Sequence, residues 1–75
     1  GNHYYEYVLE DLNKFAPKIK KGGFLAGDDY LWTSPELKGD KPVLRAVDDF
    51  LKGDKNFKLF KIFKDQFILK KVSDN

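Results

Sequence analysis

The side chains in this sequence that could do chemistry fall in two places. His3 stands near the start and is the only histidine. Imidazole is the side chain that exchanges a proton near neutral pH, as a general base must. The bland alternative is a surface histidine beside a chain terminus. Asp28 and Asp29 are adjacent and follow directly on Phe24-Leu25-Ala26-Gly27. Neighbouring carboxylates repel each other unless a cation or hydrogen bonds intervene. A hard divalent ion such as Mg²⁺ offsets that repulsion, but it wants octahedral oxygen coordination, which two aspartates do not complete. The competing reading is a strand-terminal turn in which Asp28 caps nearby amides. Tyr30 and Trp32 come next, where exposed rings beside two carboxylates could wall a substrate pocket. Equally, Leu31 and Trp32 could cover the end of a sheet.

Two elements must position these groups. Tyr4 or Tyr5, Val8, Leu12 and Phe15 recur at helical spacing, so a helix is expected from Tyr4 to Ala16, stopped by Pro17. Lys20-Lys21-Gly22-Gly23 then makes a turn, and Phe24 to Asp28, a short apolar run bounded by glycines, reads as a buried strand. Open α/β sheets place their sites at the C-terminal ends of such strands. Tyr30 to Lys41 contains Thr33, Ser34, Pro35, Gly39 and Asp40 and reads as a long surface loop. Val43, Ala46, Val47, Phe50 and Leu51 form one helical stripe, with Asp40 as the expected cap, Pro42 in the first turn and Gly53 as the stop. Phe57 to Phe63 and Phe67 to Val72 are β-rich and separated by Lys64, Asp65 and Gln66, which predicts a hairpin. If the first strand pairs with the last, the result is a mixed three-stranded sheet with helices packed on it.

Seventy-five residues allow one small domain, close to the size at which a core ceases to sustain itself. With 41% hydrophobic and 16% aromatic residues the chain is of a folding kind, and with no cysteine it has neither disulfides nor thiolate metal ligands. No apolar run approaches a membrane span and no signal-peptide pattern opens the chain, so a soluble, cytoplasmic protein without a membrane partner is expected. A net charge of +2 does not argue for nucleic acid. The lysines between residues 52 and 71 alternate with apolar residues as a solvated strand face does. Binding of nucleic acid there would need aromatic rings exposed among the lysines on one face, and Phe57, Phe60 and Phe63 are assigned to the core, so no nucleic-acid partner is expected.

Three stretches carry a family resemblance. Gly1-Asn2-His3-Tyr4-Tyr5-Glu6, then Pro17-Lys18-Ile19-Lys20-Lys21-Gly22-Gly23-Phe24-Leu25-Ala26-Gly27-Asp28-Asp29-Tyr30, then Val43-Leu44-Arg45-Ala46-Val47-Asp48-Asp49-Phe50, resemble the class I S-adenosylmethionine-dependent methyltransferases, in the group reading "DGxHxYE", "PGGxxAGDDY" and "AVDxF". The resemblance implies a Rossmann-like fold in which the last strand is antiparallel and inserted centrally. It also implies that residues 1–75 are a single partial domain, the C-terminal half of such an enzyme. The glycine-rich turn and acidic residue that grip S-adenosylmethionine belong to the other half. By the same resemblance Asp28 and Asp29 match a metal-binding pair for Mg²⁺, completed by an aspartate upstream of Gly1, and His3 matches the base. Asn2 stands where relatives often carry aspartate. The implied reaction is transfer of a methyl group from a sulfonium to the hydroxyl of a small-molecule acceptor, with Tyr30 and Trp32 beside it and no activity from this portion alone. The alternative is a non-catalytic α/β interaction module that forms homodimers through an exposed sheet edge.

Overall fold

The computed structural model describes residues 3–74. Helix α1 spans Tyr4–Phe15 and passes into a 3₁₀ turn at Ala16–Lys18, which accommodates Pro17 without continuing the α-helix. Strand β1 is Phe24–Gly27, a second 3₁₀ turn occupies Pro35–Leu37, and helix α2 spans Pro42–Gly53. Strands β2, Phe57–Phe63, and β3, Gln66–Lys71, form a hairpin through Lys64 and Asp65.

The sheet order is β1-β3-β2, so the last strand lies in the middle, as expected. The expected mixed sheet is corrected: both pairings of β3 are antiparallel. The two outer strands run the same way, but they never meet, because β3 separates them. The pairing begins at the glycine turn, where Gly22 at φ +90° donates to the Lys71 carbonyl (2.8 Å) and Lys71 donates to that of Gly23 (2.9 Å). Residues with a Cβ rarely adopt that φ.

Both helices cover one face. Leu12 of α1, Ala16 of the 3₁₀ turn, Val43, Val47 and Phe50 of α2, and the inward residues Phe57, Phe67 and Leu69 belong to one buried cluster. Val47 and Leu69 are fully buried, and each such side chain stabilises by roughly 1.5–3 kcal/mol. The inward stripe of α1 is Val8, Leu9 and Leu12, continued by Ala16 of the 3₁₀ turn; Phe15, expected inside, is exposed and lies near the ammonium groups of Lys14 and Lys18 (5.8 and 5.5 Å). Asp40 is not a cap: Lys41 holds the N-cap position with no side-chain bond, and the Asp40 carboxylate turns to Arg45 instead.

Strand β2 breaks period two. Leu59 pairs with Leu69 but Lys61 pairs with Ile68, so Phe60 is the extra residue of a β-bulge. Lys58 and Lys61, three apart, would lie on opposite faces of a regular strand. The bulge returns both to the face away from the helices. Phe57 is core as expected, whereas Phe60 and Phe63 are 55% and 52% exposed, a correction of their assignment to the interior.

Gly27 pairs with Phe67, and the Phe67 ring lies over it. A Cβ at position 27 would meet the ring's Cζ at 2.5 Å and Cε1 at 2.7 Å. Gly27→Ala is expected to destabilise by about 1–3 kcal/mol through forced repacking. Ala26→Val, on the uncovered face, is expected to stay within about 0.5 kcal/mol of the parent. Urea unfolding of both variants checks this.

Candidate functional site

The C-terminal end of β1 is held by the β2–β3 turn. Gln66 Nε2 donates to Asp28 Oδ1 at 2.9 Å. Two residues on, the Tyr30 amide donates to the Asp65 carbonyl (2.9 Å) and the Leu31 amide to Asp65 Oδ1 (2.7 Å). Asp29 sits between these anchors at φ 63°, a left-handed conformation that aspartate tolerates better than most residues, and its carbonyl accepts from the Trp32 amide at 3.1 Å. Both carboxylates face solvent. Asp28 therefore accepts from a side-chain amide across the sheet rather than capping nearby backbone. Asp65 and Gln66 read in the sequence only as turn residues; an acid and an amide at a hairpin tip were the available signal.

Tyr30 and Trp32 divide. Tyr30 is 6% exposed, its ring packs against Phe67 at a centroid distance of 5.9 Å, and burial pushes its phenol above the ordinary range. The expectation of an exposed tyrosine on this loop is corrected: Tyr30 belongs to the core. Trp32 is half-buried and its ring meets Tyr4 at 4.7 Å. That contact closes the start of α1 onto the loop after Asp29, which sequence spacing did not reveal.

His3 occupies the N-cap position of α1, exposed, with Nδ1 3.0 Å from Glu6 Oε2 and its ring 6.1 Å from that of Tyr7. With Nδ1 donating to Glu6, Nε2 is the free proton acceptor. The Tyr4–Trp32 contact thus brings the helix end that carries His3 to the loop that carries Asp29. Gly1 and Asn2 lie outside the described residues.

Along β1 runs an open groove of ≈ 250 Å³, walled by α1 through Val8, Leu12 and Phe15 and lined by the consecutive residues 25–28. Consecutive strand residues point to opposite faces, so a groove that touches all four follows the strand's unpaired edge. Asp11 and Asp28 both line this groove.

Neither Gly22 nor Gly27 offers an open backbone cradle to a nucleoside. Gly22 is spent on pairing with Lys71, and the space above Gly27 is filled by Phe67. Gly22 and Gly27 thus do not fit a backbone turn for S-adenosylmethionine. Among the described residues no third histidine or carboxylate joins Asp28 and Asp29, so they form an incomplete set for Mg²⁺.

A separate network fastens the two helices. The Tyr5 hydroxyl donates to Asp49 Oδ2 at 2.5 Å, which raises the Tyr5 pKa, and the Arg45 guanidinium lies 4.1 Å from the Tyr5 ring centroid. Arg45 also donates from Nε and Nη2 to the two oxygens of Asp40 (3.0 and 3.1 Å).

No described helix is long and apolar enough to cross a membrane. Comparison with protein-family profiles, curated proteins and solved structures finds no match to this chain.

The Arg45 hydrogen bond, with a smaller coulombic share, holds the Asp40 carboxyl below its ordinary value of 3.8. A folded-state value that is depressed stabilises the fold above the ordinary value and ceases to do so as pH falls through the depressed one. Asp40→Asn is expected to lower the melting temperature at neutral pH, and the difference from the parent is expected to vanish at the acid end of a pH series. Melting curves followed by circular dichroism measure both.

Proposed function

We propose that this chain is the C-terminal half of an S-adenosylmethionine-dependent methyltransferase domain that transfers a methyl group to the hydroxyl of a small acceptor. The observation that carries this reading is the strand order β1-β3-β2, with an antiparallel last strand inserted between its predecessors. The motif resemblance requires that arrangement, whereas hairpin formation alone would equally allow β1 beside β2. The open edge and groove of β1 leave room for a preceding strand on the side where Asp28 emerges. S-adenosylmethionine would be held by residues beyond this chain and would supply the electrophilic methyl group.

This chain's share of the work is positional. Asp65 and Gln66 fix the strand end so that Asp28 and Asp29 are presented together to solvent. His3, with its imidazole turned by Glu6, offers Nε2 to an acceptor hydroxyl. Trp32, braced by Tyr4, forms the aromatic side of the acceptor site; Tyr30 supports that side from within the core rather than touching the acceptor.

Calorimetry of residues 1–75 with S-adenosylmethionine is expected to show no binding; one-to-one binding at micromolar affinity would overturn this placement of the cofactor site. The coding sequence upstream of Gly1 tests the family. A glycine-rich turn followed by a hydrophobic strand ending in aspartate is expected, and an unrelated sequence would sink the reading.

A second reading rests on the same edge. An uncovered strand edge invites pairing with another chain, which fits a module that self-associates through β1. Sedimentation of the isolated chain is then expected to show mass rising with concentration, and Ala26→Lys to reduce it. A strictly monomeric species at millimolar concentration would count against this second reading.

A further inference from the structure

The face of the sheet turned away from the helices carries rings and cations together. On β1, Phe24 pairs with Lys70; on β2, Lys58 pairs with Lys70 and Lys61 with Ile68. The bulge adds Phe60, whose ring meets that of Phe24 edge-on at 5.2 Å. Phe24 is 49% exposed and Phe60 more so. The Lys70 ammonium lies 5.8 Å from the Phe24 centroid and 5.6 Å from that of Phe60. Nearer the turn, exposed Phe63 has Lys61 at 5.5 Å and Lys64 at 5.6 Å. Asp28, at the corner of this face, is engaged by Gln66.

From this juxtaposition we propose that the outer face of the sheet binds single-stranded nucleic acid, with bases on Phe24, Phe60 and Phe63 and phosphates at Lys58, Lys61 and Lys70. Every base has a π-face, so exposed rings bind single strands with little sequence preference, and lysines beside them neutralise the backbone. The inference is independent of the methyltransferase reading, which concerns the end and edge of β1.

Charge decides among the occupants. A second copy docking through the same face would set Lys58, Lys61 and Lys70 against their own equivalents, and like charges brought face to face repel. A bilayer would receive these rings only with the ammonium groups lying over them, at a desolvation cost that a polyanion does not impose. A single strand supplies both an apolar stacking partner and negative charge at the spacing of its repeating unit.

The test is fluorescence anisotropy of the full chain with labelled oligouridylate and oligothymidylate of about twelve nucleotides, to separate RNA from DNA. A duplex and vesicles of mixed anionic lipid run beside them. Three neutralised phosphates predict that affinity falls about 20-fold between roughly 50 and 200 mM salt. Lys58→Gln with Lys61→Gln is expected to reduce that fall to about threefold. Phe60→Ala is expected to weaken binding at least about fivefold; circular dichroism establishes that the variant is folded, and Phe24→Leu gives an independent loss of one ring. Tighter binding of either single strand than of duplex, with dependence on both rings and lysines, supports the proposal. Absence of oligonucleotide binding at low salt, equal binding of duplex without dependence on the rings, or binding of vesicles alone overturns it.

Discussion

The ring of Phe67 fills the space where any residue other than glycine at position 27 would carry its Cβ. Much of the structure depends on that exclusion. It lets β1 lie close against β3, it gives Tyr30 a surface to pack on from the core side, and it sets the height at which the chain leaves the sheet toward Asp28 and Asp29. An alanine there would push the ring into the layer shared with Leu12 and Val47, and interiors packed like crystals do not absorb such volume without strain.

Around that contact the molecule has a division of labour. The helix side of the sheet holds the apolar cluster. The end of β1 presents polar groups held by the hairpin tip. The outer face carries rings and lysines. The Tyr5–Asp49 and Arg45–Asp40 pairs lie apart from all three and tie α1 and the loop before α2 to α2 itself. Exposed ion pairs contribute little individually, so this network orients the helices more than it stabilises them.

Much of the fold was legible because it follows local rules. The α2 stripe from Val43 to Leu51, the Pro17 stop, the hairpin over Lys64 and Asp65, and β1 from Phe24 each carry their own periodicity or turn chemistry. The central position of β3 was an expectation of the family resemblance, and its apolar residues on successive positions, Phe67, Ile68 and Leu69, suit it. What escaped was set by contacts distant in sequence. Tyr30 looks like a loop residue until Phe67, far along the chain, covers it. Phe63 looks like core, six residues after Phe57, until the bulge at Phe60 shifts it outward. Asp40 is a good cap by type, but a guanidinium five residues away competes for it. For the candidate site, the identity of Asp28, Asp29, His3 and Trp32 was readable, whereas the hydrogen bonds from Gln66 and Leu31 that hold the strand end together join residues more than thirty positions apart.

The bulge at Phe60 has a consequence for how this sequence can vary. Substitutions in β2 alter one side chain at a time, but pairing the same seven residues without the bulge would restore strict alternation and turn everything on one side of it over. In that register either Lys58 would face the helices where Leu59 now does, or Lys61 would face them where Ile62 does. The bulge, rather than any one side chain, is therefore what keeps rings and lysines together on one surface of the sheet. Removal of Phe60 alone would leave Leu59 opposite Leu69 and Lys61 opposite Ile68, whereas loss of the bulge at constant length would exchange the two surfaces over half of the strand.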